Sequence, residues 1–219
     1  MGILYAVATP IGNLEDITLR ALRTLKEVDL IAAEDTRKTR KLLSHYGIHT
    51  PLTSYYGKER KADHLIATLN RGKNVAIVSE AGTPGISDPG YPLIKRAIEN
   101  GITVQSIPGP CAAISALVVS GLPTDEFIFT GFLPRKKGKL TKRLKELFNF
   151  EKTVIFYESP NRLVATLQAV KQNFGDVNVV IARELTKKFE EVIRGTIDHV
   201  LTLLKGRKMR GEVIILLHK

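Results

Sequence analysis

SEAGTPGISDPG, Ser79 to Gly90, is flanked by two readable elements. The apolar run Val75-Ala76-Ile77-Val78 before it reads as a buried strand. Residues 91–99 after it read as a helix, with Gly101 just past its end. Three glycines and two prolines in twelve residues make a rigid loop that exposes its backbone. Strand-to-helix turns usually take about two to six residues, so one this long leans toward a functional role over a plain connection. In open α/β sheets, ligands bind at the carboxyl ends of strands, which is where this loop falls.

Working outward, the first half alternates strand and helix. Residues 4–8, 30–33, 75–78 and 103–107 read as strands, and residues 18–28, 36–45, 62–69, 91–99 and 111–120 as helices. Leu19, Leu22, Leu25 and Val28 form the expected apolar stripe of the first helix. This rhythm predicts a largely parallel sheet. Gly121-Leu122-Pro123-Thr124-Asp125 is the best break, giving an α/β domain over 1–120 and a second over 121–219. In the second half, 127–130, 153–157, 177–182, 191–194 and 213–217 read as strands. Residues 140–150, 163–174 and 196–204 read as helices, and 134–139 as a basic loop. The expected fold class is α/β, two such domains with a cleft between them.

Composition narrows the function. The chain has 219 residues, is 43% hydrophobic and carries a formal charge of +11, which points first to a polyanionic partner such as nucleic acid. No apolar run approaches the roughly eighteen residues of a membrane span, and the first residues lack a signal-peptide charge pattern, so the expected location is cytoplasmic. The single Cys111 excludes an intramolecular disulfide framework. His45, His49, His64, His199 and His218 are scattered without ligand spacing, so no metal is expected. No two glycines stand two apart, and no glycine completes a Walker loop, so neither standard phosphate cradle is present.

Four strand-end segments carry the candidate chemistry. Thr9-Pro10-Ile11-Gly12-Asn13 is a tight turn that can present backbone groups to a ligand, or is simply a turn. Glu34-Asp35-Thr36-Arg37 places two carboxylates at a helix start: Asp35 or Thr36 caps the helix, or an acid serves as acid/base beside a cleft. Pro108-Gly109-Pro110-Cys111-Ala112-Ala113 lets backbone approach a flat ligand closely, or serves tight helix–sheet packing. Phe156-Tyr157-Glu158-Ser159-Pro160-Asn161-Arg162 is the fourth. Tyr55 and Tyr56 either stack on a base or pack in the core.

The positive charge is clustered. Arg37, Lys38, Arg40 and Lys41 form one group; Arg135, Lys136, Lys137, Lys139, Lys142, Arg143 and Lys145 a second; Lys205, Arg207, Lys208 and Arg210 a third. Three clusters without balancing acids favour phosphate binding over merely solvated faces.

LYAVATPIGNLEDIT, AAEDTRKTRKLL, SEAGTPGISDPG, SIPGPCAAISAL, GFLPRKKGK, FYESPNR and ARELTKKFEEVIRG together resemble the ribosomal small-subunit methyltransferase I family, within the larger tetrapyrrole-methylase-like fold. The resemblance runs from the first strand to Glu212-Val213. It implies S-adenosyl-L-methionine as cofactor, held in the cleft between two α/β domains. It also implies 2′-O-methylation of a cytidine in the decoding region of 16S rRNA of the small ribosomal subunit, by a homodimer. Carried over by motif, the cofactor contacts are Pro10, Thr83, Ile86, Cys111 and Ala112, with Tyr157 and Arg183 in the second domain. Two positions depart from the pattern: Glu80 stands where Asp is usual, and Cys111 where Ser is common.

The implied reaction needs donor and acceptor aligned, and a base for the 2′-hydroxyl, but no metal. Glu34 or Asp35 is the candidate base, with Lys187 as a further candidate, and Arg37 is placed to hold the adjacent phosphate. RNA contacts are expected from Arg37, Lys38, Arg40, Arg135, Lys136, Lys137 and Lys139. Two other readings remain: a tetrapyrrole methylase, which has no use for three basic clusters, and a non-catalytic RNA-binding protein, which would bind no cofactor.

Overall fold

The computed structural model describes residues 1–57 and 59–219, in two compact units, Met1–Cys111 and Ala112–Lys219. The first unit is built on five parallel strands, β1 (Leu4–Val7), β2 (Leu30–Ala33), β3 (Leu52–Ser54), β4 (Val75–Val78) and β5 (Val104–Ile107), in the order β3-β2-β4-β1-β5. Among the described residues, four α-helices connect them: α1 (Leu19–Glu27), α2 (Thr36–His45), α3 (Glu59–Asn70) and α4 (Gly90–Glu99).

Side-chain alternation along the strands sorts these helices onto two faces. Ala76 and Val78 of β4 share a core with Leu25 of α1 and Leu42 and Leu43 of α2. Val75 and Ile77, one residue out of phase, share the other with Leu65 and Leu69 of α3 and Leu93 of α4. Such a doubly covered strand reads as an unbroken apolar run, as VAIV does. Leu19 is a correction: it is 86% exposed, and Ala21, Leu25 and Val28 carry the buried face. Steps of three residues drift by about 60° each around a helix, so a stripe counted from Leu25 has left the core by Leu19. Tyr55 is buried and Tyr56 exposed, so the first of the pair packs in the core. Strand β3 follows Pro51 and is only three residues long, too short to show alternation in the sequence.

The second unit holds a mixed sheet of β6 (Phe127–Phe132), β7 (Thr153–Glu158), β8 (Asn178–Arg183), β9 (Glu191–Thr196) and β10 (Val213–His218), in the order β6-β7-β10-β8-β9. Only β6 and β7 run parallel; the other pairs are antiparallel. Helices α6 (Lys137–Phe148), α7 (Leu163–Phe174) and α8 (Ile197–Leu204) cover one face through Leu144, Leu147, Leu167 and Val200. Helix α5 (Ala112–Val118) packs on β7 and β10, with Ala113, Ala116 and Leu117 buried. Arg194 of β9 holds the end of α5 by donating to the carbonyls of Val119 and Ser120. These contacts put α5 in the second compact unit, so the division falls after Cys111, nine residues before the break expected after position 120. Among the described residues, no helix is long and apolar enough to cross a membrane.

Candidate active site

Strand β4 is where the connections of the parallel sheet reverse. Its neighbours β1 and β2 lead into α1 and α2 on one face, whereas β4 leads into α4 on the other. Loops that diverge from adjacent strand ends leave a crevice between them. The Ser79–Gly90 loop occupies that position and is stitched to its neighbours. Thr9 and Gly82 exchange both backbone hydrogen bonds, at 2.9 and 3.0 Å, and Thr83 Oγ1 donates to the Pro110 carbonyl at 3.0 Å. Within the loop, Asp88 Oδ1 accepts from the Gly85 N–H at 2.6 Å and from the Gly90 N–H at 3.3 Å. A Cβ on Gly90 would stand 2.5 Å from the Gly85 nitrogen, so only glycine allows the loop to close on itself.

These bonds bring together the segments that hold Pro10, Thr83 and Pro110-Cys111. Ile86, in the same loop, is exposed. A groove of about 170 Å³ opens beside them, lined by Thr9, Pro10, Lys38, Thr39, Ser79 and Glu80. Among the described residues, the buried Thr9 hydroxyl at its wall has no hydrogen-bond partner, a polar atom available to a ligand.

The two adjacent carboxylates have separate environments. Asp35 caps α2: its Oδ1 accepts from the Arg37 N–H at 2.8 Å, and the Arg37 guanidinium donates to Oδ1 at 3.2 Å and to Oδ2 at 3.0 Å. The Arg37 side chain, then its backbone N–H, hold the Asp35 carboxyl down to about 2. Glu34 goes the other way. Burial raises its pKa, the charges of Asp88 and Glu80 add to that, and a 3.2 Å hydrogen bond from the Glu80 N–H only partly opposes it. The longer acid at position 80 reaches Lys38, with Nζ to Oε2 at 2.5 Å, and ties α2 to the glycine loop.

The remaining candidates lie in the second unit. Ala112 opens α5. Tyr157 of β7 meets Phe129 and Phe132 edge-on, with ring centroids 5.1 and 5.6 Å away. Arg183 ends β8, donating to Glu191 Oε2 at 3.2 Å and to the Arg210 carbonyl at 3.3 Å. Lys187 Nζ donates to Glu184 Oε1 at 3.0 Å and Glu212 Oε2 at 2.9 Å. Burial alone would lower its pKa, but the hydrogen bonds to Glu212 and Glu184 outweigh that and raise it. Lys187 thus lies between two carboxylates, an arrangement that favours its ammonium form.

Arg40 is exposed on α2, and Arg135 and Lys136 are exposed ahead of α6. Lys137 and Lys139, read as loop residues, belong to the first turn of that helix, where acids are normally favoured. Cations there suit a bound anion.

Sequence reasoning missed the part played by Glu158. It is buried: Oε1 accepts from the Ser159 N–H and Oε2 from Thr166 Oγ1, each at 2.7 Å, and Oε2 pairs with Arg162 at 3.3 Å. Arg162 in turn donates to the carbonyls of Leu133 and Pro134, at the root of the basic segment. The FYESPNR segment is thus partly an internal strut. Its signal was the four-residue spacing of Glu158 and Arg162.

The family model described as Tetrapyrrole (Corrin/Porphyrin) Methylases matches residues 3–201. Solved structures with the same fold include diphthine synthase, with a TM-score of 0.78 at 15% identity over 100% of this chain and 90% of that one. Another is uroporphyrin-III-C-methyltransferase from Thermus thermophilus, with a TM-score of 0.65 at 20% identity over 99% and 94%. The family match, with a parallel sheet bearing crevice loops in one unit and a mixed sheet in the other, defines a methylase of the tetrapyrrole-methylase class. Relatives that match nearly the whole of this chain narrow this further. Ribosomal RNA small subunit methyltransferase I of Halalkalibacterium halodurans is 51% identical over 98% of this chain and 75% of its own length. The Thermotoga maritima protein of the same name is 48% identical over 99% and 98%. The chain belongs to the ribosomal RNA small subunit methyltransferase I family.

Proposed function

We propose that this protein transfers a methyl group from S-adenosyl-L-methionine to the 2′-oxygen of a cytidine in the decoding region of 16S rRNA, and that it acts in the cytoplasm as a homodimer on the small ribosomal subunit. The observation that carries the reading is Glu34, a partly buried carboxylate that accepts from the N–H of the groove residue Glu80 and stands next to a helix of exposed cations. A tetrapyrrole substrate would leave those cations without a purpose.

The first unit fits the cofactor. Pro10 and Ile86 offer apolar surface, Thr83 and Cys111 line tight backbone, and the unpartnered Thr9 hydroxyl offers a hydrogen bond. S-Adenosyl-L-methionine supplies an electrophilic methyl on a sulfonium. Glu34 is the base: its carboxylate would accept the 2′-hydroxyl proton, and the oxygen so freed would take the methyl group that the bound cofactor supplies. Glu34 meets that role better than Asp35, which is committed to its helix cap and Arg37. Arg37, Lys38 and Arg40 hold phosphates flanking the ribose, and Arg135, Lys136, Lys137 and Lys139 hold more distant ones. Alignment of donor and acceptor supplies much of the rate.

The test is methyl transfer from labelled S-adenosyl-L-methionine to isolated small subunits, to naked rRNA and to a reaction without RNA, with the product position mapped. Label on one cytidine 2′-oxygen is the expected result. Cofactor binding without incorporation into either RNA form would refute the substrate assignment. Light scattering across a concentration series reads the dimer.

A further inference from the structure

We infer that the loops joining β8 to β9 and α8 to β10 form an RNA-contact site for a single-stranded nucleotide, with its base stacked on Phe189 and its phosphates on Lys208 and Arg210. The inference rests on the RNA-directed function proposed above.

The two loops are locked to each other. The Glu184 N–H donates to the Glu212 carbonyl at 3.0 Å, and the Glu212 N–H donates to Glu184 Oε1 at 2.8 Å. Lys187 bridges both carboxylates, and Arg183 reaches the Arg210 carbonyl. Gly211 sits at φ +87°, which side-chain-bearing residues rarely adopt, and a Cβ there would press on the Glu184 carboxyl group. Glu184 and Thr186 sit at φ +51° and +65°, and a β-branched residue there is rare. Backbone strain of this kind persists where surroundings over-determine it, and it concentrates at ligand clamps.

What the lock presents is cationic and aromatic. Three of its acids are paired with cations, Glu191 with Arg183 and Arg207 and Glu184 and Glu212 with Lys187, while the fourth, the exposed Glu190, turns back to accept the Thr186 N–H. Lys208 and Arg210 are exposed and have no carboxylate partner among the described residues. Phe189 is 65% exposed, with Lys188 Nζ 5.8 Å from its ring centroid. A hollow of about 280 Å³ lies among Arg183, Phe189, Arg207, Lys208, Met209 and Arg210. Unpaired cations beside an exposed ring are what a splayed-out base and its flanking phosphates require. A duplex keeps its base faces stacked and would use only the cations.

The probe is a fluorescent single-stranded RNA of about a dozen nucleotides, compared with a duplex of equal length, over a salt series. The variants are Phe189→Leu and the double Lys208→Gln/Arg210→Gln, all at exposed positions, with folding checked by thermal melting. Phe189→Leu is expected to weaken single-strand binding by about fivefold or more, leaving the salt dependence and duplex affinity unchanged. The double variant should weaken both ligands and lower the single-strand salt slope by about 1.4, two phosphates at about 0.7 each. S-Adenosyl-L-methionine affinity should stay at the parent value in both. Parent-like RNA binding by both variants would overturn the site, as would equal loss of duplex and single strand in Phe189→Leu. Parallel methyl-transfer assays on small subunits separate the two claims. Methylation by the parent with unaffected variants removes the site and keeps the function. Variant-sensitive RNA binding without any methylation removes the function and keeps the site.

Discussion

Replacing Glu158 by Gln and Arg162 by Met, singly and together, tests whether the fourth strand-end segment is held by one coupled pair. The Glu158 side chain is 1% exposed and that of Arg162 26%. Glutamine keeps an acceptor for the Ser159 N–H, but sets an amide or a neutral oxygen where Arg162 had a carboxylate. Breaking a fully buried pair costs about 3–5 kcal/mol. Arg162 can turn partly to solvent, which discounts the loss to about 2 kcal/mol. Arg162→Met leaves a buried carboxylate with its two remaining donors and also releases the Leu133 and Pro134 carbonyls, so a similar cost of about 2 kcal/mol is expected. With the pair coupled, the double variant should lose about 2–3 kcal/mol, at least 1 kcal/mol less than the sum of the singles. The assay is urea unfolding, with peptide-resolved hydrogen exchange to isolate the second unit. Single costs that add to within about 0.5 kcal/mol would refute the coupling.

Glu34→Gln should lower kcat by about 10²–10⁴-fold with cofactor affinity retained. The parent's acid limb, set by a pKa above the ordinary carboxylate range, should vanish in the variant; a retained limb would assign it to another group. The same raised pKa makes the unfolded chain lose this proton first, so the Glu34 contribution to stability declines as pH rises from 4.5 through the folded value. Asp35 has the opposite sign. Its lowered pKa gives stability that is present above 3.8 and lost as pH falls toward about 2, and a carboxyl-detected NMR titration should find its midpoint there. Gly90→Ala places a methyl against the Gly85 and Pro84 backbone, which cannot swing aside. A stability loss of about 1–3 kcal/mol is expected, with at least tenfold weaker cofactor binding by calorimetry.

What could be read from the sequence depended on whether the deciding interaction was local. The strand before Ser79 was legible because VAIV is buried on both faces, and the Asp35 cap because it spans two residues. The crevice loops were legible as loops, since glycine and proline restrict backbone wherever they stand. Their joining was not, because the Thr9–Gly82 and Thr83–Pro110 bonds depend on β1 lying between β4 and β5, a strand order that no local pattern states. The division of labour between Glu34 and Asp35 was hidden for the same reason. Adjacent in sequence, they are separated by what surrounds each: Arg37 two residues on for Asp35, and burial together with Asp88 and the Glu80 N–H, from the distant glycine loop, for Glu34. The segment that first marked the fold therefore also acts, after burial, on the pKa of the proposed base. A change at Asp88 should accordingly move the acid limb of the rate profile through Glu34 even though Asp88 touches no reacting atom. Asp88→Asn removes a neighbouring negative charge while keeping an acceptor for the Gly85 and Gly90 N–H groups, so the limb should shift to lower pH. An unmoved limb, with the loop intact by hydrogen exchange, would sever that link.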